Sequence, residues 1–227
     1  EILQDMNTMM PGITHWQSPN FHAFFPCATS GPAILGDLIS TGLGINGMNW
    51  ITSPSATELE SHVLDWLVDM MDLPKKFKST EIGGGVLQDT ASSSSLVALI
   101  AAREKTSKGE INNNGYNRKL TVYTSSQAHS SIEKAVKIAG IGKNNLRLVD
   151  VDDSFAMDVN HLRKLILQDI DNGLQPSFIC ATVGTTSSTA IDPVEEIGLI
   201  CKEFGIWLHV DAAMAGPAAL CPEYRFI

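Results

Sequence analysis

The chain has little of what would point to a metal, a disulfide scaffold, a membrane span or a polyanion. Its four cysteines, Cys27, Cys180, Cys201 and Cys221, show no CxxC spacing and no histidine cluster beside them. That argues against a zinc site or a disulfide framework and fits a reducing cytoplasm. No apolar run approaches the roughly 18 residues a membrane span needs, and the opening EILQDMNTMMPGITHW lacks the charged and apolar regions of a signal peptide. Basic residues are scarce, 16 Lys and Arg against 25 Asp and Glu, and form no block larger than PKKFK. A net charge of −9 argues against a nucleic-acid or anionic-membrane partner. Small-molecule chemistry is the better expectation. The chain also starts without Met and stops at EYRFI, so it reads as a piece of something longer.

What is present is a globular composition, 44% hydrophobic and 18% charged over 227 residues, enough for one large α/β domain with an appendage. From about residue 85 the pattern alternates helix and strand. ASSSSLVALIAAREK, SSIEKAVKIAGI, NHLRKLILQDI and DPVEEIGLICKEFG read as helices; KLTVYTS, LRLVDV, SFICATVG and IWLHVDA read as strands. Ser130 and Glu133 have capping-box spacing. Asp192 is placed to cap its helix, with Pro193 in the first turn and Gly205 at the end. Several strands are near-continuous apolar runs, which suits a mostly parallel sheet covered by helices on both faces. Residues 1–80 differ: a loop-like aromatic stretch, HWQSPNFHAFFPC, precedes a helix whose Leu59, Val63, Trp66, Leu67 and Met70 share one face. The expected division is an N-terminal arm over 1–80 and a sheet domain over 81–227.

Several short stretches carry chemical information. GLGING, residues 42–47, matches GxGxxG by letter, but AILGDLIS before it has helical spacing and no suitable acidic residue follows, so a dinucleotide site is not expected. GGGVLQDTASSSSLVALIAAR runs from a glycine turn into hydroxyl residues and a helix, so Thr90, Ala91 and Ser92 could hold a phosphate on free amides, or simply make a turn and a cap. His129, the turn of Gly184, Thr185 and Thr186, and Asp211 all fall at the carboxyl ends of predicted strands, where open α/β sheets bind ligands. Each has an ordinary structural explanation alone. Together they suit a ligand with a phosphate, a flat ring and a basic ring nitrogen. Pyridoxal phosphate fits, with Asp211 as the acidic partner its pyridine nitrogen needs.

Six stretches, HWQSPNFHAFFP, SPSATELESHVLDWL, GGGVLQDTASSSSLVALIAAR, SSQAHSSIEKA, ATVGTTSSTAID and WLHVDAAMAGPAALCPEYR, resemble the aromatic-L-amino-acid decarboxylases, the pyridoxal-phosphate-dependent group II decarboxylases, in the same order. The resemblance implies a fold-type-I, aspartate-aminotransferase-like large domain, and an N-terminal arm that helps hold a homodimer with the active site at the subunit interface. By that resemblance Asp211 pairs with the ring nitrogen, Ala213 packs on one ring face and His129 stacks on the other. Thr90, Ala91 and Ser92 contact the phosphate, and Thr186 lies beside the cofactor. Trp16, Phe24, Phe25 and Pro26 line the pocket for an aromatic amino acid, with Asn46 and Met48 reaching in from the partner subunit. Departures from animal members fall on the substrate side: Phe24 for Tyr, Cys27 for Thr, Asn46 and Met48 for Ile and Phe, and Met214 after the DAA triplet where Tyr is usual.

The resemblance also exposes an absence. The family's cofactor-anchoring lysine lies beyond the HVDAA strand, and none of the eleven lysines here follows Lys202. The expectation is the N-terminal and central part of a decarboxylase, inactive by itself. Three alternatives remain open: an aromatic aldehyde synthase, an acidic amino-acid decarboxylase of the same fold, or a non-catalytic binding protein.

Overall fold

A computed structural model of the chain describes residues 2–24, 29–116 and 119–227. The described chain divides into two compact units, Glu1–Leu59 and Glu60–Ile227. The first holds α1 (Ile2–Met9), α2 (Gly31–Leu43) and the start of α3 (Pro54–Met70). Ser30 caps α2 by accepting the Ala33 N–H at 3.3 Å, and Gly44 closes it in the left-handed region at φ 62°. Gly42 and Gly44 of GLGING therefore lie at the C-terminal end of a helix, as the spacing implied, and not at the start of one. None of the described residues of this unit is buried. Along α2, Ile34, Leu35, Leu38, Ile39 and Leu43 all stand exposed within the chain.

In the second unit α4 (Ala91–Ser107) and the short α5 (Glu110–Asn114) lead into β1 (Leu120–Ser125). Then follow α6 (Ser131–Ile138), β2 (Leu146–Val149), α7 (Val159–Asp171), β3 (Gln175–Thr182), α8 (Val194–Phe204) and β4 (Trp207–Asp211). The four strands form one all-parallel sheet in the order β2-β1-β3-β4. Side-chain alternation splits each strand between two cores. Val122, Phe178 and Cys180 pack with Leu99, Ala102, Ile132 and Val136 of α4 and α6. Tyr123, Ile179 and Ala181 pack with Leu162, Ile166, Ile197 and Cys201 of α7 and α8. Helices cover both faces, as the apolar strands required.

Three local expectations are corrected. Ser130 makes no side-chain cap, and Glu133 pairs with Lys137 and Lys143 instead of reaching back; the Ser131 N–H is taken by His129 Nδ1 at 3.2 Å. Asp192 does not cap α8 either. Its carboxylate turns inward and accepts the Met157 N–H at 2.8 Å and the Thr182 N–H at 2.7 Å, which satisfies two amides that cannot reach water. Burial holds the Asp192 carboxyl above the usual carboxylate range, against the two amides that lower it. The apolar face of α3 is mostly uncovered within these residues: Leu59, Val63, Trp66 and Met70 are exposed, Leu67 is half-buried, and Val68 is the buried residue of that helix.

Candidate active site

The site grows from the parallel register. Phe178, Cys180 and Thr182 of β3 stand beside Trp207, His209 and Asp211 of β4, one pair per step. Because side chains repeat every two residues, all six face the α4 and α6 side, consistent with Phe178, Cys180 and Trp207 packing in that core. His209 is fixed there on two sides. Its ring stacks on Phe178 with centroids 5.5 Å apart, and Nε2 lies 3.3 Å from Ser95 Oγ in the second turn of α4.

That contact relates the two ends of the site. Asp211 lies two residues beyond His209, about 6.6 Å along the strand; Ala91 lies four residues before Ser95, about 6 Å back along the helix. At α4 the Thr90 hydroxyl accepts the Ser93 N–H at 3.2 Å, and the Thr90 carbonyl accepts the Ser94 N–H at 3.1 Å. The Ala91 and Ser92 amides carry no hydrogen bond among the described residues, so they are free for an anion at the positive end of a 17-residue helix. Thr90 itself is committed as a cap.

Asp211 is only partly buried, not the enclosed charge an apolar strand suggests. Among the described residues β4 pairs with β3. Its Oδ1 accepts the Ala213 N–H at 3.2 Å, and its carbonyl takes the Val183 N–H at 2.8 Å. Next to it Gly184 sits at φ 82°, where an added Cβ would come within 2.8 Å of Ala215 Cβ. Only glycine permits that approach, which holds the end of β3 against the turn after β4. Thr185 is fully buried and ties the turn by accepting the Ala190 N–H at 2.8 Å, whereas Thr186 is exposed. His129 is exposed beyond the end of β1. With Nδ1 taken as an acceptor, its neutral ring carries the proton on Nε2.

Thr90, Ala91, Ser92, His129, Thr186, Asp211 and Ala213 thus all belong to the second unit, at strand ends or at the start of α4. The substrate-side residues belong to the first. There Trp16 packs with Phe21 and Phe24 at ring distances of 4.8 and 5.7 Å, and Asn46 Oδ1 accepts the Met48 N–H at 3.0 Å. Phe25, Pro26 and Cys27 lie outside the described residues. The composition of the second-unit set fits pyridoxal phosphate: free amides for a phosphate, a carboxylate for a cationic nitrogen, small residues for a flat ring. Thr182 Oγ1, beside Asp211 in register, is buried with no hydrogen-bond partner. A separate cavity of about 380 Å³, lined by Lys105, Gln175, Phe204 and Trp207, opens at the opposite edge, where β3 and β4 begin.

Sequence reasoning passed over Ser95 and Thr182 and gave His209 no definite role. The period of two from Asp211 back to His209 was a usable signal; the partners were not, since they come from other elements.

Burial pushes the His209 imidazole below the ordinary histidine value, while the Asp211 carboxylate pulls it back. A group held neutral in the fold binds its proton more readily when unfolded, so stability is complete above about pH 6.5 and falls as pH drops below it. Chemical denaturation between pH 7.5 and 5.5 is expected to show this loss, at no more than about 1.4 kcal/mol per pH unit for one proton. His209→Gln should flatten it; an unchanged slope in that variant would assign the effect elsewhere.

Residues 1–227 match the family described as the pyridoxal-dependent decarboxylase conserved domain. A phenylacetaldehyde synthase of Arabidopsis thaliana is 48% identical over 99% of this chain and 46% of its own length. Tyrosine decarboxylase 4 of Petroselinum crispum is 49% identical over 99% of this chain and 44% of its own. The solved structure of Oryza sativa TDC with PLP and tryptamine superposes with a TM-score of 0.92 at 40% identity, over 100% of this chain and 48% of that one. The chain therefore spans slightly under half the length of the curated relatives it matches.

Proposed function

Since the chain belongs to the pyridoxal-dependent decarboxylase family, we propose that it is the N-terminal and central part of an enzyme that converts an aromatic L-amino acid to its amine and carbon dioxide. The observation that carries this reading is the Ser95–His209 contact, which sets free α4 amides and the Asp211 carboxylate on one face and edge of the sheet. Bound pyridoxal phosphate supplies an electron sink for the pair left when the substrate carboxylate departs. Asp211 keeps the ring nitrogen protonated by favouring its positive charge. The Ala91 and Ser92 amides and the positive end of α4 hold the phosphate. Ala213 adds no bulk beside the ring, His129 covers the other face with Nε2–H as its donor, and Thr186 lies alongside.

On the substrate side, Trp16 and Phe24, with Phe25 and Pro26, give the pocket its aromatic character, and Asn46 and Met48 serve the partner's site in a homodimer. The uncovered apolar residues of α2 support that dimer, since so many exposed large side chains on one helix suit a protein interface. The free thiols of Cys180, Cys201 and Cys221 support a cytoplasmic location. The anchoring lysine is placed outside these 227 residues, so the segment alone is inactive.

The test uses the complete enzyme with L-tyrosine, L-DOPA and L-tryptophan, following amine and carbon dioxide. Amine in step with carbon dioxide is the expected result. Aldehyde as the main product would replace this reading with an aldehyde synthase, and turnover of only acidic amino acids would place it with those relatives. Borohydride fixation of bound cofactor followed by peptide mapping should label none of the eleven lysines present; a label on any of them overturns the placement of the anchor.

A further inference from the structure

We infer that Thr182 is a positioning residue for Asp211: its hydroxyl donates to the Asp211 carboxylate and holds it toward the ring nitrogen of the bound cofactor. The inference rests on the cofactor site proposed above and adds a residue that the site does not otherwise use. Three observations carry it. Thr182 is 3% exposed, yet its Oγ1 has no hydrogen-bond partner. An unsatisfied buried hydroxyl is costly, and valine has the same shape without that cost. Thr182 and Asp211 are register partners on adjacent parallel strands and face the same side. The Asp211 carboxylate has one oxygen engaged by the Ala213 N–H, which leaves acceptor capacity for a donor from the neighbouring strand.

The surroundings leave that donor little choice. The Thr182 N–H is held by the Asp192 carboxylate and its carbonyl by the Asp192 N–H at 2.9 Å, so the backbone is pinned and the side chain alone can turn. Two residues back on the same face lies the Cys180 thiol, which burial pushes up to about 12 against the nearby Thr182 hydroxyl that lowers it, so the thiol stays neutral and is a weak partner for that hydroxyl. His209, the other polar group of that row, already meets Ser95. Asp211, the register partner of Thr182, is the charged acceptor of that row. Its hydrogen bond to Thr182 gains value as the carboxylate leaves water to meet a cation, when each remaining lone pair needs a fixed partner.

The experiment compares Thr182→Val and Thr182→Ser with the wild type in the complete enzyme, by three measurements. These are urea unfolding of the cofactor-free protein, the dissociation constant for pyridoxal phosphate, and the pH midpoint of the bound cofactor's visible spectrum. Thr182→Val is expected to leave the cofactor-free protein as stable as the wild type or more so. It should weaken cofactor binding roughly ten- to a hundredfold, the range for losing a hydrogen bond to a charged group, and lower the spectral midpoint. Thr182→Ser should restore both. A merely structural threonine would show the reverse pattern, lower stability without the cofactor and unchanged affinity and midpoint, and that result overturns the inference. Failure of the wild type to bind pyridoxal phosphate at all overturns the cofactor site and this role together.

Discussion

Asp211→Asn in the complete enzyme is expected to lower kcat/KM for decarboxylation by roughly 30- to several-thousand-fold, corresponding to the about 2–5 kcal/mol lost when one member of a desolvated charge pair is removed. Asparagine keeps the size of aspartate and can still accept the Ala213 N–H through Oδ1. What is withdrawn is the negative charge that the proposed site sets beside the ring nitrogen, together with the second acceptor oxygen, which becomes a donating NH2. In the proposed site the nitrogen would then lose its proton more readily, and the ring would be a poorer acceptor of the electron pair. The fold should survive, because the two side chains have the same size and the backbone hydrogen bond of Asp211 to Val183 does not involve the side chain. Steady-state kinetics together with an unfolding curve check both halves. A variant within threefold of the wild type would remove Asp211 from its assigned role.

The second large effect concerns stability. Asp169 of α7 is buried and accepts from two groups: the Tyr123 hydroxyl at 2.6 Å and the Arg147 guanidinium, through Nη2 at 2.8 Å and Nε at 3.0 Å. Thr121 lies beside the Tyr123 oxygen at 2.9 Å. Burial and the hydrogen bond to Asp169 hold the Tyr123 phenol far above the usual range, so it acts as a neutral donor. The cluster joins β1, β2 and α7 where apolar packing alone would leave a guanidinium against the core. Asp169→Ala strands that guanidinium and the phenol, and is expected to cost about 3–5 kcal/mol, the range for breaking a buried pair by removing one partner. A domain has only about 5–15 kcal/mol in all, so the urea midpoint should fall steeply with the slope unchanged. Tyr123→Phe should cost less, since Arg147 keeps its carboxylate. A loss under about 1 kcal/mol for Asp169→Ala would mean the cluster is decorative.

Much of this molecule can be read along the chain. The helices and strands from Ala91 to Asp211 follow from period and punctuation, because both act within a few residues: the left-handed Gly205 ends α8, and Gly44 ends α2. The six motifs carry the family for a similar reason, since each is a contiguous string. Local reading fails at the charged and hydroxyl residues. Ser130 and Asp192 stand where caps belong, yet His129 caps one helix and Asp192 turns to two amides, one of them 35 positions away.

The sequence by itself determined the alternation of elements, the parallel α/β class and the residue types gathered at the carboxyl ends of the strands, because hydrophobic period and turn chemistry are local. Only the tertiary structure decided which carboxylates are enclosed and which is available. Asp169 and Asp192 are shut in by partners from other elements, while Asp211 is half-buried within these residues. It also decided that Ser95 meets His209 across 114 positions and that Thr182 is buried beside Asp211 with nothing to bond. Burial and hydrogen-bond satisfaction are properties of the packed neighbourhood. They come into being when distant segments close on one another, and no string of letters states them in advance.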